Sequence, residues 1–170
     1  MYQHLLYFVV TLLLLSSMSS ASPSAELEEF WAKAAATVEE GDFDTYSSLY
    51  HPEAVLVTTT AKQTKSTKPI QEALQGWKDG FDQTRAGRQT VQLEFRFSQS
   101  ICSPTTAHET GIFCYKSHQN DNRGGDEKVT YMHFESLLVK KETKGWLWLM
   151  EHQKQLATKE EWDNLAPTNQ

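Results

Sequence analysis

Tyr131, His133 and Glu135 occupy alternate positions of one run, separated by Met132 and Phe134, so in an extended strand their side chains share a face. An imidazole beside a carboxylate is the equipment of general acid–base chemistry. A second imidazole, His152, ends a run in which Trp146, Trp148, Met150 and His152 share a strand face and Glu151 points the other way. Glu94 and Arg96 share a face of an earlier run. Drawn together, His133, Glu135, His152, Tyr115 and Trp148 would ring an amphipathic cavity suited to a small organic acid or amide. Tyr46 and Arg96 belong to the same expected pocket, with Trp77 and Tyr50 closing its mouth. His133, Glu135 and His152 are the candidate catalytic groups.

Each of these residues also has a plainer role. Tyr131, His133 and Glu135 fit a solvated or dimer-facing side of a sheet, and His152 fits a hydrogen-bonding residue at a strand end. The five Trp fit core filling, because large rings bury area efficiently. Cys102 and Cys114 are an even pair that could bridge in an oxidising compartment. Against a bridge, Cys114 lies inside the apolar run Ile112 to Tyr115, where a free thiol serves as a small hydrophobe. A tight hairpin would also place Cys102 near its tip and Cys114 well down the returning strand. No Cys/His spacing matches a zinc site, and Gly124-Gly125 lies in a polar loop without the strand-to-helix context of a phosphate-cradling turn. Neither a metal nor a cofactor is expected.

The elements that must position these residues follow from periodicity. Leu27, Phe30, Trp31, Ala34 and Val38 recur at helical spacing from Ser24, and Gly41 closes the segment. A short helix follows from Asp42, ended by His51-Pro52. Ala54 to Thr60 reads as a strand, and Lys68-Pro69 starts a helix whose buried stripe is Ile70, Leu74, Trp77 and Phe81. Four strands then alternate in character: Gln89 to Ser98, Thr106 to Lys116, Lys128 to Lys141 and Trp146 to Gln155. They are expected to form an antiparallel meander bent around the first helix, with the third helix covering the open side. Residues 157–170 read as a polar tail with one helical turn near Trp162.

Leu5 to Leu15 is an apolar run broken only by Thr11, too short for a bilayer span of roughly 20 residues. With Ser19 and Ala21 at the −3 and −1 positions, residues 1–21 read as an export signal cleaved after Ala21, which predicts a secreted protein with no lasting membrane anchor. The remaining residues 22–156 form one expected domain. Apolar residues make up 39% of the chain and aromatic ones 11%, enough for one core. Lys and Arg total 16 against 22 acidic residues, a net charge of −6, which argues against nucleic acid as a partner.

Three stretches, taken in this order of elements, resemble the nuclear transport factor 2-like (NTF2-like) superfamily, which includes the SnoaL-like proteins and the association domain of calcium/calmodulin-dependent protein kinase. They are Glu40-Gly41-Asp42-Phe43-Asp44 with Tyr46 and His51-Pro52-Glu53-Ala54-Val55, Thr110-Gly111-Ile112, and Lys144-Gly145-Trp146 through His152. The resemblance implies a cone-shaped α+β fold, with a strongly curved antiparallel sheet wrapped around N-terminal helices, an internal pocket, and a homodimer through the outer sheet face. Ketosteroid isomerase uses such a cone for proton transfer. Aligned through these motifs, its oxyanion tyrosine falls at Ala34 and its base carboxylate at Thr58, so both groups are missing. The expectation is therefore a non-catalytic binder of a small apolar or amphipathic ligand. Two alternatives stay open: an isomerase, dehydratase or hydrolase using a pocket His/Glu pair, and a dimeric assembly or adaptor module.

Overall fold

The computed structural model describes residues 23–60, 62–120 and 126–167. The expected export signal and its cleavage point, and Gly124-Gly125, lie outside the described residues. Helix α1 spans Pro23–Glu40 and α2 spans Phe43–Ser48, followed by β1 (Tyr50–Thr59), β2 (Lys65–Pro69) and α3 (Ile70–Arg85). The long strands are β3 (Gln89–Cys102), β4 (Thr106–Gln119), β5 (Lys128–Lys141) and β6 (Gly145–Leu156), and a short α4 covers Lys159–Asp163.

The six strands form one sheet in the order β2-β1-β6-β5-β4-β3. β3 to β6 make the expected antiparallel meander. β1, however, lies parallel to β6, so the sheet is mixed, and it is not closed into a barrel. The ladder between β1 and β6 jumps from Tyr50↔Trp148 to Val55↔Met150. His51-Pro52 falls in that gap, where proline has no N–H to donate. β1 thus starts earlier than its Val- and Thr-rich part alone indicates, and β2 arises in a stretch without apolar alternation, since all five of its residues are exposed.

The apolar stripe of α1 fills the hollow of the sheet. Trp31 alone meets Phe95 of β3, Phe134 of β5 and Trp148 of β6, with ring centroids 4.7, 5.6 and 5.2 Å away, and its indole N–H donates to Glu109 of β4. One side chain can touch four successive strands only if the sheet curls around it. α3 packs against β1 and β2 at one edge and β3 at the other, so it spans the open side. Gly41 makes the α1–α2 turn at φ +70°, where a Cβ would sit 2.5 Å from the backbone N of Arg85. At the bend of β4, a Cβ on Gly111 would fall 2.1 Å from the carbonyl oxygen of Arg96, so only glycine permits that approach.

The C-terminal segment turns back onto the convex face. Trp162 is buried there against Ile112, Cys114 and Tyr131, and a capping box between Thr158 and Glu161 starts α4. Both cysteines are free thiols. Cys102 pairs with Ala107 at the hairpin tip and Cys114 with Glu94 far along the ladder, so the possible bridge is not made.

Candidate functional site

The site is set by two irregularities in β6. Leu138 pairs with Trp148 and Leu137 with Met150, which leaves Leu149 as an extra residue. A bulge of one residue reverses the inward and outward phase of everything beyond it. Trp148 and Glu151 therefore both face the hollow, while His152 faces outward. A second bulge, at Lys154 between Gln153 and Gln155, leaves Lys154 and Gln155 together on the convex side.

The hollow keeps a cavity of about 370 Å³ at its wide end. Tyr46, Trp77, Phe81, Leu93, Phe95, Phe113 and Tyr115 line it, and Glu151 and Gln153 supply its polar floor. Tyr50 Oη donates to Glu151 Oε2 at 2.6 Å, and Gln153 Nε2 donates to Oε1 at 2.8 Å. Because the one proton of Tyr50 is committed to Glu151, Tyr46 donates in the 3.1 Å bond between the two phenols. The ring of Tyr50 stacks on Trp148 at 4.7 Å.

Burial raises the pKa of Glu151, and the two hydrogen bonds it accepts only partly oppose that. The phenols of Tyr46 and Tyr50 are pushed up by burial and by the nearby Glu151 charge. Burial thus makes this carboxyl easier to protonate than an exposed one, and in its protonated form it can donate a hydrogen bond or exchange a proton inside an apolar enclosure.

Among the expected pocket residues, Tyr46, Trp77 and Tyr115 line this cavity, with Tyr50 beneath its floor and Trp148 buried behind Tyr50. His133, Glu135 and His152 do not share it. Phe134, Ser136 and Leu138 take the inward positions of β5, so the intervening His133 and Glu135 are driven to the convex face, where the Leu149 bulge also delivers His152. Arg96 is displaced to a third place for the same reason, since Leu93 and Phe95 point inward. Its guanidinium lies 4.2 Å over the Trp162 ring and donates to the carbonyls of Trp162 and Leu165 at 3.0 and 3.1 Å.

Glu151 and Gln153 were missed by strand alternation. The signal available was the run Trp146 to Met150, five consecutive apolar residues in which no period of two can be read.

On the convex side Glu135 is the hub. His108 Nε2 lies 2.8 Å from its Oε1, Lys154 Nζ lies 2.7 Å from its Oε2, and His152 Nδ1 stands 3.9 Å away. Hydrogen bonds from Lys154 and then His108 hold the carboxyl at about 2. His152 is lowered by burial and then by the Lys154 charge, and its Nε2 is 2.9 Å from Thr59 Oγ1. His133 reaches outward to Glu161 of α4 at 3.3 Å. Among the described residues no three His, Cys, Asp or Glu side chains converge as a metal site requires, and no helix is long and apolar enough to cross a membrane.

A sheet curled round an N-terminal helix, with an apolar cavity at its wide end, defines the NTF2-like class. The chain belongs to the SnoaL-like domain family, which matches residues 27–155. Solved structures share the fold at low identity. An NTF2-like protein of unknown function from Shewanella oneidensis is 16% identical, covering 79% of this chain and 100% of its own, with TM-score 0.56. A protein from Exiguobacterium sibiricum, provisionally named a calcium/calmodulin-dependent kinase II association domain, is 11% identical over 83% of this chain and 98% of its own, at 0.59. A protein from Streptomyces avermitilis, provisionally named a dehydratase of the NTF2-like family, is 16% identical over 79% and 96%, at 0.56. A search of curated proteins finds no match.

Proposed function

We propose that this chain binds a small, largely apolar molecule in the concave cavity and holds its one polar group at Glu151 and Gln153. The observation that carries the reading is the floor of the cavity: a buried carboxyl bonded by neutral donors, Tyr50 and Gln153, beneath aromatic walls. A neutral Glu151 can donate to a ketone, hydroxyl or amide oxygen. A ligand carboxylate would press a charge against an already desolvated acid, so this reading replaces an organic acid with an uncharged ligand. Walls of Phe95, Phe113, Tyr115 and Trp77 supply the apolar contact, and few polar groups fix orientation, as in small-molecule sites generally.

The test is a thermal-shift screen of steroid-, lipid- and polyketide-like ketones and alcohols, followed by calorimetry. A true ligand at 100 times its Kd stabilises the fold by about 2.7 kcal/mol; Glu151→Leu, which removes the donor, should weaken that ligand, whereas Glu151→Gln, which keeps a neutral N–H donor, should largely retain it. A panel in which no compound raises the melting temperature would sink the reading.

A second reading, proton-transfer catalysis, is favoured by the chain Tyr46–Tyr50–Glu151, which joins the carboxyl to two phenols. Ionised Glu151 would take a proton from a carbon next to a bound carbonyl and return it elsewhere. Deuterium uptake into a bound ketone, abolished by Glu151→Gln, separates this reading from binding alone. The likeness to a named dehydratase contributes the fold only, at 16% identity.

A further inference from the structure

We propose that the convex face carries a second binding site, for a small oxyanion, formed by Lys65, Lys154, His152 and Thr59 beside an already neutralised Glu135. A hollow of about 460 Å³ opens there, and these residues line it together with Gln63 and Gln155. It lies on the opposite side of the sheet from the aromatic cavity, because Gln153 turns inward between His152 and Lys154.

The chemistry of the lining points to an anion. Both oxygens of Glu135 are engaged, by His108 at 2.8 Å and Lys154 at 2.7 Å, so its charge is satisfied within the protein. An ammonium has three donors, and Lys154 gives one of them to Glu135. Among the described residues no carboxylate pairs with Lys65. The hollow therefore holds two ammonium groups against one carboxylate, with a hydroxyl and carboxamides to complete an oxyanion's hydrogen bonds.

The backbone is shaped for this grouping. The bulge at Lys154 puts two successive side chains, Lys154 and Gln155, on one face, the re-aiming that bulges accomplish beside sites. Gln63 adopts φ 60° in the β1–β2 turn, a region uncommon for residues other than glycine, and so reaches the rim.

His152 adds a pH response. It faces Thr59 from β1, Lys65 from β2, Glu135 and His133 from β5 and Lys154 from its own strand, with His108 of β4 beyond Glu135. Protonation of His152 would add positive charge to the hollow, so oxyanion affinity should rise as pH falls.

The experiment is an NMR titration of the full chain with sodium sulfate and, separately, sodium acetate, reading the ring signals of His152 and His133 against sodium chloride at matched ionic strength. Sulfate stays ionised across the range, so its pH response belongs to the protein. Saturable shifts are expected with at least one oxyanion, tightening as pH falls below about 6.5, because burial and the Lys154 charge hold His152 under its ordinary value. The tetrahedral and planar probes tell a phosphate-like ligand from a carboxylate. Lys65→Ala, on an exposed edge strand, and Lys154→Gln should each weaken binding about tenfold, as for one charge-assisted hydrogen bond. Shifts equal to those from chloride, shifts that never saturate, or affinity unchanged in both variants would each overturn the proposal. Glu151→Gln should leave this titration unaltered, so it stands or falls apart from the concave ligand.

Discussion

Glu151 is a carboxyl held by neutral donors at the base of an apolar cavity, and its partners decide what its burial costs. Tyr50→Phe removes the shorter of its two hydrogen bonds while keeping the ring stacked on Trp148. A buried acceptor losing its donor destabilises by about 1–3 kcal/mol. Urea unfolding at neutral pH should register that loss, with the slope unchanged. The same variant should raise the pKa of Glu151 further, because that bond opposes the effect of burial. Residue identities were legible in the sequence here, but the partnership was not. Tyr46 and Tyr50 were expected in a pocket and stand at one, whereas their carboxyl was assigned to the opposite face from Trp148 by simple alternation.

At the scale of elements, what was legible is what periodicity encodes. The stripe of α1 from Leu27 to Val38, the turn at Gly41 and the four alternating runs of β3 to β6 each follow from which side chains avoid water. Three features carry no such mark. β2 is Lys-Ser-Thr-Lys-Pro with every residue exposed, so its strand comes from pairing with β1 rather than from burial. The parallel match of β1 to β6 is a property of the assembled sheet. The bulges of β6 count residues against a partner strand, and a single extra one moved His152 away from Trp148. The convex face offers a prediction of its own. Arg96 stacks on Trp162 and binds two carbonyls of the C-terminal segment, which covers Cys114 at 1% exposure. In a Cys102→Ser background, Arg96→Ala should release α4 and make Cys114 react with a maleimide reagent much faster than in the parent. An unchanged rate would show that Trp162 holds the segment by burial alone.

For the whole molecule, the carboxyls pull stability in opposite directions along the pH axis. Glu109 and Glu151 are both raised, burial being the larger cause for each, so the folded state binds their protons more tightly than the unfolded chain does. Their contribution is complete below the unfolded value of about 4.3 and is lost as pH rises through the folded values. Glu135 behaves the other way: held at about 2 by Lys154 and His108, it contributes fully above the unfolded value and loses that contribution as pH falls toward 2. Stability should therefore decline on both sides of an optimum on the acid side of neutrality. The two flanks are separable. Glu151→Gln preserves an acceptor for Tyr50 and cannot ionise, so it should flatten the decline toward alkaline pH, while Glu135→Gln should flatten the decline below about pH 4. Urea midpoints measured from about pH 3 to about pH 8 check both. A Glu151→Gln profile parallel to the parent's would mean that the cavity floor does not change its protonation on folding, and the neutral acid on which the ligand reading rests would go with it.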